Sequence, residues 1–337
     1  MRFLSAATLI FALSAFAADA NYPAPVEHDF VVHDFHFASG ETLPEVRVHY
    51  ATIGTPGKPA VLILHGTGGS FHQFINDRFG GVLFAPGGLL DASRYFIVIP
   101  DNIGHGKSSK PSDGLGQKFP HYDYDDMVEL QHRMIVDDLH IRHLHIVMGT
   151  SMGGMQTWMW GERWPSMMDA LIPLASLPAQ IAGRNRVWRK MMIDELHNGD
   201  LTAALHMLMI AGSAPLQWQK EAPTRDAADK YLADRMKTLQ STNNADDLLY
   251  ALESSRNYDP SAQLEKITAP LLAINSADDF INPAELGIME QLIKRVPHGR
   301  YVLIPTSDQT HGHSTHTWAK VWEGEMRRFL NDVGQAH

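Results

Sequence analysis

The chain has 337 residues, 44% of them hydrophobic and 20% charged, which suits one large α/β domain with an inserted subdomain and argues against disorder. A formal net charge of −10, with no long Lys/Arg run to offset it, argues against nucleic acid as a partner. There is no cysteine, which excludes disulfides, thiol catalysis, zinc–thiolate sites and iron–sulfur clusters.

Residues 1–20 carry one early cation, Arg2, an apolar stretch over 3–13 and the small-residue ending Ala18-Asp19-Ala20. This pattern predicts a secretory signal peptide, because the apolar core is short for a membrane span and small residues sit where a signal peptidase cuts. The expectation is a periplasmic or secreted protein with no membrane contact once the leader is removed. Cleavage takes away Arg2 and Asp19 together, so the net charge stays at −10.

Residues 29–37 and 45–54 alternate apolar and polar and predict two strands forming an opening hairpin. The continuous apolar runs at 60–64 and 95–99 predict strands buried on both faces, as parallel strands are. Met127, Leu130, Met134, Ile135 and Leu139 fall at helical spacing and predict a helix over 124–141. A buried strand then leads to Gly149-Thr150-Ser151-Met152-Gly153, a helix follows, and another buried run stands at 170–174. Strand and helix alternate here as in a mostly parallel sheet with helices on both faces.

Between residues 178 and 262 the strand signal disappears, and helices are expected at 186–196, 201–211, 226–239 and 246–256. This stretch reads as a helical cap inserted into the sheet domain, whose two parts are 21–177 and 263–337. Buried runs resume at 271–274 and 301–304, and a last helix is expected over 317–331.

The chemistry gathers at the turn after the strand that begins near His145. A serine hydroxyl is a poor nucleophile unless it is held exposed beside a base. A tight strand-to-helix turn with glycine on both flanks does this, which makes Ser151 the candidate nucleophile. The helix begins at Met152, so its first N–H groups face the place where negative charge would develop on an attacked carbonyl. The base needs a carboxylate to hold its tautomer. Asp278 and Asp279 follow one late strand, and His311, His313 and His316 follow the next, leaving two candidate acids and three candidate bases. The three histidines do not have a standard zinc spacing and no carboxylate is interleaved, so neither a metal nor any other cofactor is expected.

These residues resemble the α/β-hydrolase superfamily, and within it the homoserine O-acetyltransferase-like branch. The resemblance rests on Val46-Arg47-Val48-His49-Tyr50-Ala51-Thr52-Ile53-Gly54, Asp126-Met127-Val128, Gly149-Thr150-Ser151-Met152-Gly153-Gly154-Met155-Gln156 and Leu174-Ala175-Ser176. It implies an α/β-hydrolase fold with a cap and a Ser-Asp-His order in the chain. The family spacing places the acid four residues before Pro283, at Asp279, leaving Asp278 to solvent or to a turn-stabilising hydrogen bond. The glycine that precedes the family's histidine selects His313. The implied oxyanion donors are the N–H groups of Met152 and of Thr67, in the loop His65-Gly66-Thr67-Gly68 after the first buried parallel strand.

Two departures from the transferases stand out: Ser314 occupies the place of their aspartate after the histidine, and His65-Gly66 opens the oxyanion loop as in plain hydrolases. An exported protein would also meet little coenzyme A thioester. The expectation is therefore a serine hydrolase acting on a small-molecule ester or related acyl substrate. The alternatives are an O-acyltransferase using an acyl-CoA donor and a non-catalytic ligand-binding protein on the same fold.

Overall fold

The computed structural model describes residues 21–335, and the leader expected at 1–20 lies outside them. Eight strands form one sheet: β1 (Val26–His36), β2 (Thr42–Ile53), β3 (Ala60–Leu64), β4 (Phe96–Pro100), β5 (Leu144–Thr150), β6 (Met168–Leu174), β7 (Leu271–Ser276) and β8 (Gly299–Ile304). Their spatial order is β1-β2-β4-β3-β5-β6-β7-β8. β2 pairs antiparallel with both of its neighbours, and every other pairing is parallel. The opening hairpin is present, with Val26 opposite Thr52 and His36 opposite Thr42.

The sheet is covered on both faces because its strands are apolar on both. Val61 and Ile63 of β3, Ile146 and Met148 of β5, and Leu272 and Ile274 of β7 pack on one side with α1 (Gly80–Leu83) and the last helix. Leu62, Leu64, Val147, Leu171 and Leu271 point the other way, toward α2 (Tyr124–Arg133) and α3 (Met152–Arg163). This period of two is what an extended chain imposes on successive side chains. The helix expected over 124–141 is α-helical only to Arg133. From Met134 to Asp138 the turn widens, and the Leu139 N–H donates to the Met134 carbonyl five residues back.

Between β6 and β7 lie α4 (Gly183–His197), α5 (Leu201–Ala211), α6 (Pro215–Glu221), α7 (Arg225–Thr242) and α8 (Ala245–Glu253). α4, α5, α7 and α8 share an apolar cluster of their own, in which Trp188, Met192, Leu205, Met236, Leu248 and Leu252 are buried together with Ile281 from the loop after β7. α6 has no counterpart among the expected helices; it spans only 7 residues and buries none of them, so it carries no apolar period to read. The short α9 (Ile288–Leu292) precedes β8, and α10 (Ala319–Gln335) closes the described chain. Among the described residues no helix is long and apolar enough to cross a membrane.

Candidate active site

Parallel strands all end at the same edge of their sheet, and the loops that follow them gather there. The turn after β5 is strained. Ser151 holds φ +55° and ψ −114°, a conformation that a non-glycine residue adopts only where its surroundings enforce it. The enforcement is visible on both flanks: a Cβ on Gly149 would lie 2.1 Å from the Gly153 carbonyl oxygen, and one on Gly153 would lie 2.0 Å from that of Leu64. Any side chain at either position would open the turn. Ser151 is left partly exposed, and Met152 behind it is the first residue of α3, whose N–H belongs to the unpaired first turn.

The loops after β7 and β8 bring two more groups to this turn. His313 Nε2 lies 2.8 Å from Ser151 Oγ, and His313 Nδ1 lies 2.8 Å from Asp279 Oδ2. The same carboxylate accepts from the backbone N–H groups of Ile281 (2.8 Å) and Asn282 (3.2 Å) and from the Asn282 side-chain amide (3.2 Å). Burial alone would push Asp279 up, but His313 and these donors outweigh it and hold the carboxyl below its ordinary value. An ionised carboxylate only accepts, so His313 Nδ1 carries the proton and Nε2 is free to accept from the Ser151 hydroxyl. Asn282, which the sequence reading did not single out, also donates to the Ala175 carbonyl at 2.8 Å and ties the acid loop to the end of β6. Its signal is the short step from Asp279, a spacing at which a side-chain amide can fold back on a carboxylate.

Asp278 faces away from His313 but is not left to solvent. It accepts from Thr310 Oγ1 (2.8 Å), from the Gly312 N–H (3.0 Å) and from the Ser276 hydroxyl, so it braces the loop that presents the histidine. His311 stacks on Trp318, with ring centroids 3.8 Å apart. His316 packs edge-on to His313 at 5.2 Å, and burial lowers its pKa to about 3. The three histidines therefore sit in three different environments.

On the other side of Ser151 runs the loop after β3. A Cβ on Gly66 would stand 3.4 Å from Ser151 Cβ, so this backbone lies against the nucleophile candidate. The Gly66 carbonyl accepts from His65 Nδ1 at 2.8 Å and from the Gly69 N–H at 3.0 Å. In a trans peptide the next N–H points opposite to that carbonyl, so these two bonds fix the direction of the Thr67 N–H. His65 can do this because its Nε2 accepts from the Asn102 N–H at 3.0 Å, which leaves the proton on Nδ1. Burial lowers its pKa to about 4 and keeps the ring neutral at physiological pH.

Residues 59–318 match the alpha/beta hydrolase fold family. The chain belongs to that family. A homoserine O-acetyltransferase from Haloarcula marismortui is 35% identical over 170 residues, a segment covering 45% of this chain and 42% of that one. A probable acyltransferase from Methanothermobacter thermautotrophicus is 28% identical over 291 residues, covering 79% of this chain and 87% of that one. The solved structure of an acetylester hydrolase from Corynebacterium glutamicum superposes with a TM-score of 0.79 at 20% identity, covering 91% and 96% of the two chains.

One further feature of this α/β-hydrolase was not anticipated from its sequence. Arg189 of α4 is 3% exposed, and its Nε donates to Asn185 at 3.0 Å, but its Nη1 has no partner. Burial lowers its pKa, the nearby Tyr124 and the like-charged Arg186 act on it in opposite senses, and among the described residues it has no carboxylate partner. Tyr124 is buried beside the Thr67 side chain, and neither the Tyr124 hydroxyl nor Thr67 Oγ1 makes a well-formed hydrogen bond. One N–H group of a buried cation and two poorly paired hydroxyls thus lie around Tyr124, beside the loop after β3. A buried polar group left without its full set of partners is costly.

Proposed function

We propose that the protein is a serine acyltransferase acting on small molecules. Ser151 takes an acyl group from an ester or thioester and passes it to a hydroxyl acceptor that carries a carboxylate. The observation that carries this reading is Arg189, a buried guanidinium with no carboxylate partner among the described residues, whose charge acts on Tyr124, itself beside Thr67. The names of the transferase relatives support the same class of reaction.

In this reading His313 Nε2 takes the Ser151 proton as Oγ attacks the acyl carbonyl, and Asp279 offsets the imidazolium that forms. The N–H groups of Thr67 and Met152 receive the developing oxyanion. His313 then protonates the leaving group, an acyl-Ser151 intermediate remains, and the acceptor hydroxyl gives its proton to His313 as it attacks; collapse breaks the bond to Ser151 Oγ, which takes the proton back from His313 as the new ester leaves. Arg189 holds the acceptor carboxylate, so that the reacting hydroxyl is delivered rather than found by diffusion.

Hydrolysis is the second reading, with water in place of the acceptor. Ser314 favours it, because this exposed hydroxyl offers no charge to an acceptor ammonium group. The leader pattern at 1–20 favours it too, since export to the periplasm or beyond would part the protein from acyl-CoA. The deciding experiment supplies acetyl-CoA or an activated acetyl ester, with and without homoserine or 4-hydroxybutyrate, and follows O-acetyl product and free acetate by mass spectrometry. Transfer predicts O-acetyl product that rises with acceptor at the expense of acetate. Acetate alone, formed at a rate independent of acceptor, overturns transfer in favour of hydrolysis.

A further inference from the structure

The side chain of Gln73 touches both halves of the oxyanion arrangement. Its Oε1 accepts from the Gly66 N–H at 3.1 Å, and its Nε2 donates to Thr150 Oγ1 at 2.7 Å. Gly66 immediately precedes Thr67, and Thr150 immediately precedes Ser151, with Met152 the next residue. One planar amide therefore spans from the loop after β3 to the elbow after β5.

The bridge is anchored at its base. Gln73 sits in a single 3-10 turn, Phe71–Phe74, capped by the Ser70 hydroxyl, and the rings of Phe71 and Phe74 are fully buried in the core. The Gln73 carbonyl accepts from the Asn76 side-chain amide at 2.8 Å, and its N–H donates to the Ser70 carbonyl at 3.0 Å. At its tip the amide is also confined, since a Cβ on Gly69 would come within 2.6 Å of Oε1.

We propose that Gln73 is a positioning residue that ties the loop bearing Thr67 to the nucleophile elbow and so sets the separation of the Thr67 and Met152 N–H donors. The Gly66 carbonyl is already held by His65 and Gly69, which orients the Thr67 N–H about its own peptide. Gln73 supplies the remaining constraint, the distance from that peptide to the elbow. Two donors serve one oxyanion only if both lie about 2.7–3.1 Å from it, so a slack of a few tenths of an ångström between the two loops is felt in the transition state and not in the bound ester.

The inference rests on the reading of Ser151 as the acylated residue. Its test compares Gln73→Met, which keeps the length of the side chain and removes both hydrogen bonds, with Thr150→Val and Thr150→Ser. Each is assayed for kcat and KM on an activated acetyl ester and for inhibition by a small alkylboronic acid. The boronic acid bonds through boron to Ser151 Oγ without losing a group, the serine proton passing to His313, and it leaves a boron-bound oxygen where the oxyanion would be.

Gln73→Met should lower kcat on the order of 10- to 100-fold with KM within about twofold, short of the 10²–10³ lost when a donor is removed outright. The boronic acid should weaken by the same factor. Thr150→Val should show part of this loss, Thr150→Ser should retain most of the rate, and the double variant Gln73→Met/Thr150→Val should be no worse than Gln73→Met alone. A folded Gln73→Met with unchanged kcat and boronate affinity, or one in which only KM rises, overturns the proposal. If Gln73→Met does not fold, equal rates for Thr150→Val and Thr150→Ser overturn it instead. Wild-type protein that neither turns over the ester nor binds the boronate removes the reading of Ser151 and this inference with it; the other failures leave that reading standing.

Discussion

Replacing Arg189 by methionine should make the protein more stable and a poorer user of carboxylate-bearing acceptors. A buried ion leaves several kcal/mol of desolvation to be recovered. The recoveries visible at Arg189 are one hydrogen bond to Asn185 at 3.0 Å and the face of Trp188, 5.1 Å from the guanidinium carbon. A charged hydrogen bond returns about 1.5–3 kcal/mol and a desolvated cation–π contact up to about 2. Against about 6 kcal/mol of desolvation, recoveries of about 3–5 kcal/mol leave a deficit of about 1–3 kcal/mol, which an apolar side chain of similar length would relieve. At about 2 °C per kcal/mol for a chain of this size, the melting temperature should rise by about 2–6 °C. The assay is a pair of thermal melts, wild type and Arg189→Met, each with and without millimolar 4-hydroxybutyrate. Wild type should gain stability from the acid, and the variant should start higher and gain nothing. A variant that melts several degrees lower, or that is stabilised by the acid as wild type is, would refute the reasoning.

The two neighbouring aspartates should separate sharply. An amide at position 279 presents the wrong hydrogen-bond pattern to His313 Nδ1, and by analogy with the serine-protease triad Asp279→Asn should cost on the order of 10⁴ in kcat. Asp278→Asn, which only loosens the brace on Gly312 and Thr310, should cost far less, and steady-state kinetics showing the reverse order would displace Asp279 from the triad. Among the histidines, His313→Ala should abolish turnover while His311→Ala retains much of it; comparable losses, checked in the same ester assay, would contradict the geometry.

Stability should also fall in mild acid. His65, His105 and His316 stay neutral in the fold until pH of about 4, 3 and 3 because burial disfavours their charged forms, whereas in the unfolded chain they charge near 6.5. Their stabilising contribution is complete above pH 6.5, shrinks as the pH falls, and stops shrinking only below the folded values. His105→Phe should flatten the dependence of unfolding free energy on pH between about 6 and 4 by about 1.4 kcal/mol per pH unit, measured by urea titration. An unchanged slope would mean that His105 is not held neutral.

The sheet was legible because its physics is local. Parallel strands buried on both faces must be continuously apolar, and Ala60–Leu64 and Phe96–Pro100 announce themselves that way. The elbow was legible for a harder reason, since carbonyl oxygens about 2 Å from where a Cβ would stand leave Gly149 and Gly153 no substitute. The three side chains singled out for catalysis do meet; their order along the chain suggested a triad, and the family resemblance chose Asp279 and His313 among the candidates. Less legible was whatever depends on through-space company. Gln73 and Arg189 lie 78 residues before and 38 after Ser151 by their numbers, with no motif around them. Their meaning appears only when Gly66 and Tyr124 are placed beside them, whereas Asn282 had at least its short step from Asp279. Asp278 illustrates the same limit from the other side: solvent or a turn-stabilising hydrogen bond was open to it, and only the fold shows that it braces the histidine loop while Asp279 meets the ring.

The central claim, that Ser151 carries the acyl group, is tested most directly by rapid acid quench of the protein with an activated acetyl ester, followed by intact mass measurement and peptide mapping. The account predicts a gain of one acetyl group, located on Ser151, that disappears when acceptor is added and never forms in Ser151→Ala, although that variant melts like wild type. An acetyl group on another residue, or a Ser151→Ala protein that still turns over the ester, would contradict it.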